Sequence, residues 1–251
     1  MERSHLIKLL YCLHRRPELT LQEFQDHWLE RHSDFGRANP QVLRYVQYHT
    51  LADDPVHRAL AQAGEGHEPA ASYDGMAVAW FENSQTLQES MRSDNVAAAL
   101  EDEKRFIDHS RSTAVLCDEH VIVEPEAPAP IVLVECLARR SEIDRKFFSE
   151  RWLKHAHIGR EANSRGMLQG YIQNHALAEG DARVSELEEL GTGGEWDGIV
   201  TAYFHSVAVA KQLFADPLAS EESFADEREF IDHTKGLYML TRRHLIKDVV
   251  R

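Results

Sequence analysis

Four histidines stand beside aromatic residues in patterns that suit proton transfer. His32 follows Trp28 by four residues, and His49 ends the run Tyr45-Val46-Gln47-Tyr48-His49. His155 follows Trp152 by three residues, and His175 ends Tyr171-Ile172-Gln173-Asn174-His175. An imidazole with an ordinary pKa of about 6.5 can take and return a proton near neutral pH, while a second polar group stabilises an enolate or leaving group. His32 with His49, and His155 with His175, are therefore the candidate catalytic pairs. They suit dehydration, isomerisation or cyclisation of a carbonyl-bearing substrate. Tyr45 and Tyr171 share a strand face with His49 and His175, so their hydroxyls could orient the carbonyl. Tyr11, Trp28 and Trp152 are further candidates to line a mostly apolar site. The competing reading is that these side chains only complete hydrogen bonds in the core.

Asp108-His109 and Asp232-His233 suggest a second pair of dyads, but neighbours along a chain usually point in different directions. Asp108 and Asp232 are kept as candidate substrate contacts, with the fixing of a turn as the alternative. Among 15 histidines the closest pair on one element is His155 and His157. On a helix their rings diverge by about 200°, and no HExxH occurs, so neither a metal nor a cofactor is expected. The GTGG at 191–194 lacks the lysine and helix start of a phosphate cradle, and no dinucleotide fingerprint is present.

These residues must be positioned by a repeated unit. CLHRR at 12–16 recurs as CLARR at 136–140, an offset of 124 that also pairs Phe24 with Phe148, Trp28 with Trp152, and FIDHS at 106–110 with FIDHT at 230–234. The halves are read as 1–123 and 131–251, joined by a proline-rich spacer at 124–130. Within each half, short apolar runs at 7–13 and 131–137 predict strands, followed by helices capped at Thr20 (with Glu23 completing a capping box) and Asp144. Further strands are predicted at 42–50, 75–81 and 113–123, and at 168–176, 198–204 and 237–247. Helical regions at 84–106 and 206–230 precede the last strand of each half. This βαββαβ order predicts an α+β protein of two tandem ferredoxin-like repeats, packed sheet to sheet as an α/β barrel. The chain would be a pseudo-dimer in itself, with a homodimer of whole chains left open. The connections at 51–72, which holds His57 and His67, and at 177–194 are long enough to serve as lids.

The order of motifs resembles the EthD family: an arginine pair after the first strand, FxxxWLERH on the first helix, YVQYH on the second strand, and DExxFIDHS before the last. The resemblance covers roughly 5–123 and 130–249. It implies the dimeric α+β barrel superfamily, which includes cofactor-independent monooxygenases, polyketide cyclases and dehydratases, an isomerase and haem-binding enzymes. It also implies a pocket between helices and sheet, with His32 at the family's helical histidine. The same spacing lands on Ala156 in the second half, where His155 is the better substitute, about 60° from Trp152 around the helix. Haem through His175 or His205 follows only by this analogy.

Composition narrows the partners. Forty-two acidic against 28 basic residues among 251 give a net charge of −14, which repels phosphate backbones and anionic lipid. Neither nucleic acid nor a membrane is an expected partner. The three cysteines lack CxxC spacing, and the start lacks a small-residue cleavage site, so a cytoplasmic protein with free thiols is expected. The leading expectation is a cofactor-independent lyase or isomerase acting by histidine acid–base catalysis on a hydrophobic carbonyl or aromatic small molecule. The alternatives are a non-catalytic accessory protein that binds such a molecule, a haem protein, or a cofactor-free monooxygenase.

Overall fold

Alternating apolar residues form eight strands in the computed structural model, which describes residues 6–54, 72–177, 181, 183, 196–215 and 223–250. The first half supplies β1 (Ile7–Leu13), β2 (Arg44–Thr50), β3 (Gly75–Phe81) and β4 (Thr113–Val123). The second supplies β5 (Ile131–Leu137), β6 (Gly170–Ala176), β7 (Gly198–Phe204) and β8 (Leu237–Asp248). All pairings are antiparallel, and the order β1-β3-β2-β8-β5-β7-β6-β4 closes into a barrel. The halves do more than stack their sheets. Two of the eight seams, β2 with β8 and β4 with β6, join a strand of one half to a strand of the other. Closure removes every exposed edge of the eight.

An eight-stranded barrel is just wide enough for side chains to fill. One face of every strand supplies that filling, among it Leu10, Val46, Val78, Val134, Ile199 and Met239. The interior admits a few polar groups in mutual contact: Tyr48 and Tyr203 join hydroxyls at 2.9 Å, and Lys8 donates to Asn174 at 2.6 Å and pairs with Glu119. Cys12 and Cys136, equivalent in the repeat, meet at 3.9 Å between sulfurs, and all three cysteines are free.

Helices cover the outer faces. In the first half α1 (Leu21–His27) runs through a π-helical turn (Trp28–His32) into α2 (Ser33–Ala38), followed by α3 (Ser84–Met91) and α4 (Asp94–Glu103). In the second half α5 (Arg145–Ser164) is α-helical throughout, followed by α6 (Val207–Ala215) and a short helical segment at 223–227. The capping box at Thr20 and Glu23 forms, and Asp144 caps α5 by accepting from the Phe147 amide at 2.7 Å. The helical region expected over 84–106 is broken in two, because the Ser93 hydroxyl accepts from the Val96 amide and starts a new helix.

The proline-rich segment is also not a free spacer. Glu126 donates its amide to Gln169, Pro130 accepts from the Arg243 amide, and Pro128 accepts from His205 Nδ1 at 2.7 Å, so the segment is strapped across the barrel. The possible lids with His57 and His67, and the GTGG at 191–194, lie outside the described residues. Among the described residues no helix is long and apolar enough to cross a membrane.

Candidate active site

The first helix of each half brings a histidine to the sheet by a different winding. Trp28 and Trp152 are 124 residues apart, whereas His32 and His155 are 123 apart, as are Gly36 and Gly159. The missing residue is accounted for by the π turn, in which the Ser33 amide donates back five residues to the Trp28 carbonyl rather than four. Trp-x-x-x-His wound as π and Trp-x-x-His wound as α therefore place equivalent imidazoles. Beyond them, Gly36 and Gly159 lie against the rings of Tyr45 and Tyr171, where a Cβ would collide.

Both histidines are buried and held by acidic pairs from the far end of the helical layer. His32 Nδ1 is 3.0 Å from Asp102 Oδ2, and its Nε2 is 3.7 Å from Glu103 Oε1. Glu103 in turn accepts from His109 Nε2 at 2.9 Å. The second half repeats the chain: His155 Nδ1 to Asp226 at 2.7 Å, His155 Nε2 to Glu227 at 3.3 Å, and His233 Nε2 to Glu227 at 2.9 Å. His27 adds a contact to Asp102 at 3.0 Å, and Arg151 takes that place beside Asp226.

The electrostatics follow from these contacts. Burial favours the neutral forms, but hydrogen bonds and charge from Glu227 and Asp226 outweigh it and raise the pKa of His155. The same contacts, with His233, overcome burial and hold the Glu227 carboxyl well below the usual range. Asp102 is likewise lowered by His27 and His32 against the effect of burial. The hydrogen bond to Glu103 raises His109.

Each imidazole lines a cavity between helices and sheet. The first, about 440 Å³, is lined by His32, Glu103, His109, Tyr11 and Tyr45 among apolar side chains such as Leu9, Phe35, Phe81 and Leu100. The second, about 120 Å³, is lined by His155, Glu227, Tyr171, Glu135 and Tyr238 among Leu133, Val200, Leu213 and Phe224. Burial raises the phenols of Tyr11, Tyr45 and Tyr171, Tyr45 to about 12, so they stay protonated at neutral pH; the Tyr45 hydroxyl also accepts from Trp28 Nε1 and Gln47 Nε2, each at 3.3 Å.

Of the candidates drawn from the sequence, His32, His155, Tyr11, Tyr45 and Tyr171 reach the cavities, and the others do not. His49 and His175 stack on Trp28 and Trp152, with ring centroids 4.5 and 4.3 Å apart, and donate from Nε2 to Gln47 and Gln173. Burial, with His244 and His120 alongside, pushes both down to about 3, which leaves them neutral and weakly basic. Their assignment as partners of His32 and His155 is corrected by this placement. Trp28 and Trp152 are wedged against Gly75 and Gly198, behind the cavities rather than in their walls. Asp108 accepts from the amide and hydroxyl of Ser110, and Asp232 from those of Thr234, so both fix turns. His157 is exposed and donates to its own helix at Lys154, and the arginines after the first strands anchor Asp74 and Asp197. Asp102, Glu103, Asp226 and Glu227 were not singled out from the sequence, although the DE pair recurs at the 124-residue offset.

The EthD domain model matches the chain twice, over residues 16–110 and 140–234, and the chain belongs to that family. None of the curated proteins matches it in sequence. Among solved structures it is similar to an anthrone oxidase-like protein, with a TM-score of 0.64 and 8% identity over 99% of this chain and 96% of that one. A proposed monooxygenase from Lactobacillus acidophilus is similar at a TM-score of 0.55 and 8% identity, over 98% and 97%. A proposed chlorite dismutase is similar at 0.52 and 12% identity, again over 98% and 97%. At such identities the likeness is one of fold alone.

Proposed function

We propose that the chain is a cofactor-independent lyase or isomerase that moves a proton on a hydrophobic carbonyl or aromatic substrate held in the first cavity. The observation that carries this reading is His32, set in the cavity wall with Nδ1 held by Asp102 and Nε2 left 3.7 Å from Glu103. Asp102 accepts a hydrogen bond from Nδ1–H and so selects the tautomer whose lone pair is on Nε2. That nitrogen takes a proton from the carbon beside a substrate carbonyl. The phenol of Tyr11 donates to the resulting enolate oxygen, where a preorganised donor in an apolar site counts for more than in water. Return of the proton from Nε2 to another carbon completes an isomerisation; its delivery to a β-hydroxyl, which breaks the C–O bond and leaves as water, completes a dehydration. Glu103, bonded to His109, stands beside Nε2 and stabilises the imidazolium formed while the proton is held there.

The cavity volume suits the reading, since small-molecule sites commonly span about 300–1,000 Å³ and are mostly apolar. We extend the proposal to the architecture: residues 1–123 and 131–251 are each a ferredoxin-like unit, with 124–130 between them, a division supported by the orders β4-β1-β3-β2 and β8-β5-β7-β6. The proposed setting is cytoplasmic, with a small molecule rather than nucleic acid or membrane as partner.

The test is product analysis on a panel of aromatic and enone carbonyl compounds, with and without His32→Ala. Conversion that needs no added group and is lost in the variant supports the reading. Ligand retained unchanged would move it to an accessory binding protein, oxygen consumption to a cofactor-free monooxygenase, and a Soret band in the purified protein to haem binding.

A further inference from the structure

The two cavities occupy equivalent places but no longer have equivalent walls. Tyr11 of β1 corresponds to Glu135 of β5. Directly across the strand pairs, Ala114 faces Tyr11 and Tyr238 faces Glu135. The phenol has thus crossed from one strand to its neighbour, and a carboxyl stands where it was. The bulk of Tyr238 in place of a methyl group, with Val200 on the adjoining strand, leaves about 120 Å³ against about 440 Å³ in the first half. The charged and titratable groups that face Glu135 across this cavity are His155 and Glu161 of α5, Arg165 just after it, Tyr171 of β6, Glu227 and Tyr238. Among the described residues its carboxyl makes no hydrogen bond to another side chain, so its hydrogen-bonding capacity is directed to the cavity.

We propose that the second cavity is a separate ligand site that takes a small uncharged carbonyl or hydroxyl compound of about one ring, held by a hydrogen bond from the Glu135 carboxyl opposite His155. This rests on the reading of the first cavity as a substrate site and extends it to the equivalent cavity of the second half. The volume sets one ring as the upper limit, since an apolar cavity that accommodates benzene is about 150 Å³ and this one is about 120 Å³. The lack of charge follows from the walls. Burial, with Glu227 nearby, raises Glu135 to about 8, so at neutral pH it is mostly a carboxylic acid and can donate. The carboxylates of Glu227 and Glu161 are matched in the walls by His155 and Arg165, so the cavity offers no surplus charge to an ionic ligand. In the first cavity the same position offers a phenol, which donates from a longer reach, and Ala77 and Ala114 on the flanking strands leave room for a larger molecule.

The test uses the full chain with methyl-labelled leucine and valine, titrated with cyclohexanone and, separately, with cyclohexylammonium. The expected result is that cyclohexanone shifts the methyls of Leu133 and Val200, that Glu135→Gln keeps its affinity within about threefold, and that Glu135→Ala weakens it at least tenfold. A carboxylic-acid carbonyl band at pH 7, lost in Glu135→Gln, accompanies this in the infrared spectrum. Tighter binding of the ammonium compound, abolished by Glu135→Gln, would overturn the proposal in favour of a carboxylate–cation site. So would the absence of any shift in a folded protein. The proposal is decided by binding at Leu133 and Val200, whereas the acid–base reading is decided by turnover, so either can fail without the other.

Discussion

Asp102 accepts a hydrogen bond from His32 Nδ1 at 3.0 Å, and this one contact engages Nδ1 and leaves Nε2 3.7 Å from Glu103. Removal of the imidazole in His32→Ala is expected to lower kcat by about 10² to 10⁴, the usual range for a general acid or base. Asp102→Asn should lower kcat by about tenfold or more, equivalent to about 1.4 kcal/mol of barrier, with little change in KM. Steady-state kinetics on a converted substrate checks both. Equal loss in KM would place Asp102 in binding instead.

The π turn predicts an unusual tolerance. Deletion of exposed Glu30 converts Trp28-x-x-x-His32 to the three-residue spacing of Trp152 and His155, which an α-helix satisfies. Urea unfolding of the deletion variant should remain within about 1 kcal/mol of the parent, because π windings are rarely retained for stability alone. Turnover should survive. Loss of the fold would show that the extra residue is needed for packing rather than for placing His32.

His155 is raised by Glu227 and Asp226, so it should titrate above the ordinary value of about 6.5 for histidine. Its contribution to stability is fully present below the unfolded pKa and is lost as pH rises through the folded one. Glu227→Gln should bring the titration down. Histidine side-chain NMR against pH reads this directly, and an unmoved midpoint would remove Glu227 as the cause.

His49 and His175 act in the opposite direction. Their folded pKa values of about 3 lie below the unfolded value of about 6.5, so the unfolded chain binds protons first as pH falls. Stability is present above about 6.5 and declines toward pH 3, by on the order of several kcal/mol for each group. Glutamine at both positions retains a donor toward Gln47 and Gln173. Circular dichroism should show that this double variant unfolds at lower pH than the parent.

Gly36→Ala and Gly159→Ala each place a methyl group against a tyrosine ring. Each should cost about 1–3 kcal/mol by urea denaturation, as overpacked sites do, and should displace Tyr45 or Tyr171 toward its cavity. A weaker effect at one glycine would show which helix can move away from the sheet.

The fold was legible because a 124-residue repeat doubled each periodicity, and because cap residues such as Thr20 and Asp144 mark helix starts by local chemistry. Sharing a strand face was also read correctly for Tyr45, Gln47 and His49. It did not amount to sharing a site: four residues of strand span about 13 Å, enough to place Tyr45 in the cavity wall and His49 under Trp28. The acidic pairs Asp102-Glu103 and Asp226-Glu227 entered only as part of a motif and were given no role, because nothing along the chain shows what they face. Only the tertiary fold turns them toward His32 and His155. The π winding was equally invisible, since spacing alone does not tell four π positions from an α turn with one residue added.

The two seams that join β2 to β8 and β4 to β6 tie both cavities to a single polypeptide. In an assembly of identical subunits, every substitution would be made twice, and a carboxyl that suited one wall would be imposed on the other. Fusion releases that constraint. Glu135 could replace a phenol in one half while Tyr11 was kept in the other, so the duplicated chain holds two independently variable chambers on one shared frame.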